Sequence, residues 1–159
     1  MNPKILVPTT PSDQVQETLG RLLLLLLWAY FVWKYPSLPD TLPTHFNLSG
    51  HPDGYSTKQT LVGLPIVCTL VFVLLTILTR YPHLFNYPTR ITPDNALRQY
   101  TAATRMLRML KLSVVVMFFI ILLYIIQSPP QFSSWVMVVC LALVFAPFVY
   151  YLAFLSKKQ

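Results

Sequence analysis

Hydrophobic positions in this chain come in long runs rather than in alternation or as one helical stripe. Leu61–Thr79, Leu112–Gln131 and Phe132–Leu155 contain no charged residue, and Leu22–Trp33 is apolar throughout. A run of about 18 apolar residues or more suffices to carry a helix across the hydrocarbon core. The runs lack the apolar/polar alternation of a membrane β-barrel. "LVGLPIVCTLVFVLLTILT" is apolar on every side, unlike a helix of a soluble bundle. The pattern therefore predicts an all-α integral membrane protein with four transmembrane helices, at about 18–34, 61–80, 111–127 and 134–155. Leu19 and Gly20 lengthen the first span, with Arg21 and Lys34 able to snorkel from its ends. Polar residues precede that run, and "WKYPSLPD" follows it where a signal peptide would show small residues at a cleavage site. An uncleaved first span is expected, within a single membrane domain covering 1–159.

Two polar segments separate the spans. The first is a loop over 35–60. The second opens with "YPHLFNYPTRI", extended and punctuated by Pro82 and Pro88. A helix over 92–110 then follows: Thr92 suits the N-cap, Pro93 the first helical position and Asp94 the positive end of the dipole. Leu97, Tyr100, Thr104 and Leu107 recur on one side of it, and Arg98, Arg105 and Arg108 on another. The expectation is an amphipathic helix whose Arg98, Arg105, Arg108 and Lys111 meet anionic lipid or a partner helix. The simpler alternative is a solvated lead-in to the third span. Pro65 and Pro147 fall inside spans and predict kinks.

Charge adds an orientation. Lys4, Arg21, Arg80, Arg90, Arg98, Arg105, Arg108, Lys111, Lys157 and Lys158 fall on one side of a four-span chain, and only Lys34 and Lys58 on the other. The basic side is expected to be cytoplasmic, with both termini inside, the 35–60 loop outside and the protein multi-pass in the cell membrane. The net charge of +7 is thus a topology signal. No basic stripe interleaved with stacking aromatics suggests nucleic acid as a partner. The central turns of the spans carry no Asp, Glu, Lys, Arg or His, which argues against a proton-coupled transporter or an ion pump. Cys68 and Cys140 lie singly in spans and form neither a disulfide framework nor a metal pair.

Candidate chemistry gathers in the first loop, "LPTHFNLSGHPDGYSTK". His45, His51 and Asp53 are ligand types acceptable to zinc, but their spacing matches no strong zinc motif, so no metal or other cofactor is expected. Ser49 and Ser56 stand near histidines but not in a nucleophile elbow. "HPDG" reads as a turn, with Pro52 fixing φ and Asp53-Gly54 tolerating a left-handed position.

These residues resemble the signature of DUF1648, a family of bacterial membrane proteins of unknown function. Its pattern of Leu-Pro-x-x-x-Pro-x-His-Phe-Asn, then Gly-x-x-Asp, then Lys is met by Leu38, Pro39, Pro43, His45, Phe46, Asn47, Gly50, Asp53 and Lys58. The likeness covers about residues 20 to 127. His51 falls on a variable position, which disfavours a two-histidine zinc site. The resemblance implies an ordered outer loop built on His45, Asn47, Gly50, Asp53 and Lys58, with Asp53 and Lys58 paired across the turn and His45 and Asn47 bonded to backbone groups. The family includes the N-terminal part of SdpI-type immunity and signalling proteins. The resemblance therefore implies a non-enzymatic protein that senses, or protects against, an external peptide or envelope stress. Membrane lipids, an extracellular peptide and a cytoplasmic or membrane protein are the implied partners. An accessory subunit of a larger membrane complex is the second expectation, and a small membrane hydrolase using the outer loop the third.

Overall fold

The computed structural model of the chain describes residues 2–47, 49–127 and 133–156. Helix α1 runs Pro11–Lys34, the hairpin strands are β1 (Thr41–Phe46) and β2 (Pro52–Thr57), and helices α2 (Gly63–Leu78), α3 (Pro93–Gln127) and α4 (Ser134–Ser156) follow. Among the described residues, four helical stretches are long and apolar enough to cross a membrane: Pro11–Ser37, Thr60–Leu78, Pro93–Gln127 and Trp135–Ala153. The chain is thus a multi-pass membrane protein by the length and composition of its helices. The expected link between the third and fourth spans lies mostly outside the described residues.

Three elements sharpen the sequence expectation. First, α1 starts at Pro11 rather than near residue 18. Thr10 and Asp13 form a reciprocal capping box, with Pro11 in the first turn, so the helix has a strong start well before its apolar part. Second, the ordered loop expected over 35–60 takes the form of the antiparallel hairpin β1–β2, so a mostly helical chain also contains a two-stranded sheet. Third, the segment over 92–110 leads directly into the third span, as the simpler alternative expects, but without the solvated arginines that alternative assumed. It is the first half of α3, which continues through the third span to Gln127. No glycine, and no proline after Pro93, interrupts the stretch. One buried stripe also runs its length, through Ala96, Tyr100, Ala103, Leu107, Lys111, Val115, Leu122 and Ile125. At 1.5 Å per residue, 35 residues extend about 50 Å, well beyond a core of about 30 Å.

The core is a seam shared by α1, α2 and α3. Leu27 and Phe31 of α1, Cys68 and Phe72 of α2, and Val115, Leu122 and Ile125 of α3 are buried together. Leu38, Leu42 and Leu61 join the same cluster, which fastens both feet of the hairpin to the end of the bundle. Gly20 brings α1 close to α2: a Cβ there would sit 3.1 Å from the Phe72 ring. Trp28 Nε1 donates to Thr69 Oγ1 at 2.9 Å, and Thr69 in turn donates to the Pro65 carbonyl. Such bonds tie helices together where lipid offers no hydrophobic drive. Pro65 occupies the first turn of α2, where its missing N–H costs no helical bond. It is therefore not an internal kink site, whereas Pro147 does lie inside α4. Helix α4 packs on α3 and keeps most of its surface exposed.

Candidate functional site

The hairpin gathers the loop residues singled out by the sequence. Asn47 builds its tip: the side-chain oxygen accepts from the backbone N–H groups of Ser49 (2.9 Å) and His51 (3.0 Å). Its own backbone exchanges with its surroundings through Asn47 N–H to His51 O and Gly50 N–H to Asn47 O. Gly50 carries φ 80, the left-handed position a tight turn needs and side chains resist. The turn is therefore Asn47–His51, not His-Pro-Asp-Gly. Pro52, Asp53 and Gly54 belong to β2.

The strand register is irregular on both sides of His45, which pairs with Gly54 while Pro43 pairs with Tyr55 and Phe46 with Pro52. Thr44 and Asp53 are the extra residues of this double bulge, a device that re-aims side chains. One result is that His45 Nδ1 meets Asp53 Oδ1 at 2.5 Å. A second is that Gly54 lies flat beneath the histidine, where a Cβ would come within 2.9 Å of the His45 Cβ. Lys58 pairs with Asp40 at 2.9 Å, not with Asp53, because Asp53 is drawn to the histidine. Lys58 N–H also donates to Asp40 O, closing the base of the hairpin. Leu42 and Pro43 are buried, whereas His45, Asn47, Asp53 and Tyr55 face outward.

Chemically, a carboxylate on Nδ1 holds an imidazole in one orientation and leaves Nε2 outward. That is the base–orienter half of a hydrolytic triad. The Ser56 hydroxyl accepts a bond from Thr44 rather than standing against the histidine. Among the described residues, no three His, Cys, Asp or Glu side chains come together as a metal set.

A second polar cluster, at the opposite end of the bundle, was not anticipated. Asp13 and Glu17 sit one turn apart on α1 and face α3. Arg108 Nη1 lies 3.4 Å from Asp13 and its Nε 3.4 Å from Glu17. Arg105 Nε lies 3.6 Å from Asp13. Lys111 Nζ donates to Glu17 (2.5 Å) and to Thr76 Oγ1 of α2 (2.9 Å), and sits over the Phe72 ring. Lys111 is 1% exposed and Arg108 7% exposed, so both turn inward instead of toward lipid or a partner, as does Arg105 in part. Charges leave water only when paired, and the acids of α1 supply the pairs. Arg98 is half-buried nearer the start of α3, and Leu97 is exposed rather than part of the apolar strip. The available signal was the spacing: acids at 13 and 17, and bases at 105, 108 and 111, each line one helical face.

The N-terminal strand of chain before α1 straps this end. Asn2 donates to the carbonyls of His83 and Phe85, and Tyr100 Oη donates to Pro3 O at 2.9 Å. Tyr87 packs on Tyr100 and donates to Pro82 O. Burial, reinforced by the neighbouring Tyr151 and Tyr100, pushes the Tyr87 hydroxyl well above the ordinary tyrosine range.

A curated relative described as an uncharacterized protein, from Archaeoglobus fulgidus, is 33% identical over 89 residues, which is 51% of this chain and 49% of the relative. The chain thus spans about half the length of that relative. No solved structure matches. Residues 22–69 match the profile described as domain of unknown function DUF1648, a stretch that takes in the apolar part of α1, the whole hairpin and the start of α2. The likeness to DUF1648 is thus a likeness of residues 22–69, with the β1–β2 hairpin at its centre.

Proposed function

We propose that this chain is a non-enzymatic, SdpI-like membrane protein that senses, or protects against, a peptide arriving from outside the cell, and that the β1–β2 hairpin is its recognition element. The observation that carries this reading is the combination of a rigid base and an exposed face. Leu38, Leu42 and Leu61 anchor the hairpin in the helical core, while Tyr55 (66% exposed) and the His45–Asp53 pair stand outward. A two-stranded sheet also offers strand edges to which an extended peptide adds by main-chain bonding. In this reading the hairpin faces outward, both termini are cytoplasmic and the host membrane is the cell membrane, in keeping with the distribution of Lys and Arg.

The test is survival. Bacterial cells producing the chain are challenged with a panel of secreted membrane-active peptides, alongside cells producing Tyr55→Ala or Asp53→Ala at equal membrane abundance. The expected result is increased tolerance of at least one peptide, lost in the variants. Unchanged tolerance across the panel, together with co-purification of another membrane protein at fixed stoichiometry in mild detergent, would replace this reading with that of an accessory subunit.

A further inference from the structure

We propose that the cleft at the end of the bundle opposite the hairpin is a binding site for the phosphate of an anionic phospholipid, held by Arg21 and Arg80. The cleft has a volume of about 540 Å³ and lies between the N-terminal strap, the first turns of α1 and the last turns of α2. Arg21, Arg80, Thr76 and Thr79 supply its polar groups, and Phe72 and Leu6 its apolar ones.

Three observations lead to this ligand. The first is charge. Glu17 also lines the cleft, but it is engaged by Lys111 and Arg108. Among the described residues, no carboxylate lies within ion-pairing distance of Arg21 or Arg80. The cleft thus has a cationic surplus at its exposed side, where both arginines sit. The second is posture. Arg21 Nε donates to the Glu17 carbonyl, which steadies the guanidinium and leaves its terminal N–H groups for a ligand. A planar fork of this kind matches phosphate oxygens in pairs. The third is height. Arg21 immediately precedes the apolar run of α1 and Arg80 follows that of α2, so the two arginines stand at one membrane boundary, the level of lipid headgroups. Leu22 and Ile77, beside them, are exposed and apolar, the surface along which acyl chains run. Arg108 also lines the cleft but is turned to Asp13 and Glu17, and the site does not depend on what the hairpin recognises.

The experiment uses the full chain in mild detergent, titrated with phosphatidylglycerol, phosphatidylcholine or inorganic phosphate, and read by thermal unfolding and by native mass spectrometry. Phosphatidylglycerol is expected to raise the melting temperature and to remain bound, and phosphatidylcholine is not. Arg21→Gln with Arg80→Gln is expected to weaken phosphatidylglycerol binding by roughly tenfold or more, given two cations at a membrane surface. Arg90→Gln, which removes a charge outside the cleft, is expected to leave binding unchanged. If the double variant does not fold, Arg80→Lys is read instead. It keeps the charge, loses the planar fork and is expected to weaken binding severalfold. Equal binding of the two lipids, an equal loss in Arg90→Gln, no loss in Arg80→Lys, or full stabilisation by inorganic phosphate alone would each overturn the proposal.

Discussion

At the scale of single residues, the two polar centres obey opposite rules. In the hairpin the polar groups are exposed, and geometry matters more than charge. Gly54 is the sensitive position, since a side chain there meets the His45 Cβ at 2.9 Å and neither backbone can yield cheaply. Gly54→Val is expected to destabilise the hairpin by about 1–3 kcal/mol through overpacking. Limited proteolysis of the detergent-solubilised protein checks this: cleavage between Asn47 and Thr57 should rise sharply over wild type. At the other centre, charges are enclosed and pairing matters. Lys111→Met leaves Glu17 without its closest cation and is expected to cost about 3 kcal/mol or more. Glu17→Gln combined with Lys111→Met should recover much of that loss, because removing both charges also removes the desolvation cost. A double-mutant cycle on thermal unfolding measures the coupling, and strict additivity of the two substitutions would contradict the pairing.

At the scale of elements, α3 is the member that organises the others. Its stripe of small and apolar residues receives α1 and α2, and its Arg105, Arg108 and Lys111 fix the height at which α1 docks. The long helix predicts a distance. In a background with Cys68 and Cys140 replaced, spin labels at Leu97 and Ile120 are 23 residues apart and should lie about 35 Å from each other along a continuous helix. A helix turned flat on the membrane before residue 111 would shorten that to about 25 Å. Pulsed electron resonance in lipid nanodiscs separates the two values. The sequence held the evidence for continuity, namely no Gly or Pro between Pro93 and Gln127 and apolar residues recurring at helical spacing into the third span. The rise in polarity before Lys111 hid it, because polarity reports where water is and not where a helix ends.

At the scale of the whole molecule, the hairpin and the ionic cluster cap opposite ends of one helical bundle. Their sides of the membrane follow from the proposed orientation. Single cysteines at Ser49 or Ser56, in the same cysteine-free background, should react with an impermeant thiol reagent on intact cells, and one at Thr101 should react only after permeabilisation. The reverse pattern would invert the bundle and place the phospholipid cleft in the outer leaflet.

What the sequence by itself determined was the number and approximate place of the spans and the identity of the residues that shape the loop. Both are local matters: an apolar run is legible wherever it stands, and Asn47, Gly50, His45 and Asp53 form a pattern within a few residues of one another. Tertiary structure alone decided which charges meet. Lys58 turned to Asp40 and His45 to Asp53 because a double bulge, invisible in residue identities, set the register. Arg108 and Lys111 turned inward because Asp13 and Glu17, some ninety residues earlier in the chain, stand on the facing side of α1. A buried charge goes where its partner is, and distance along the chain carries no information about distance in space.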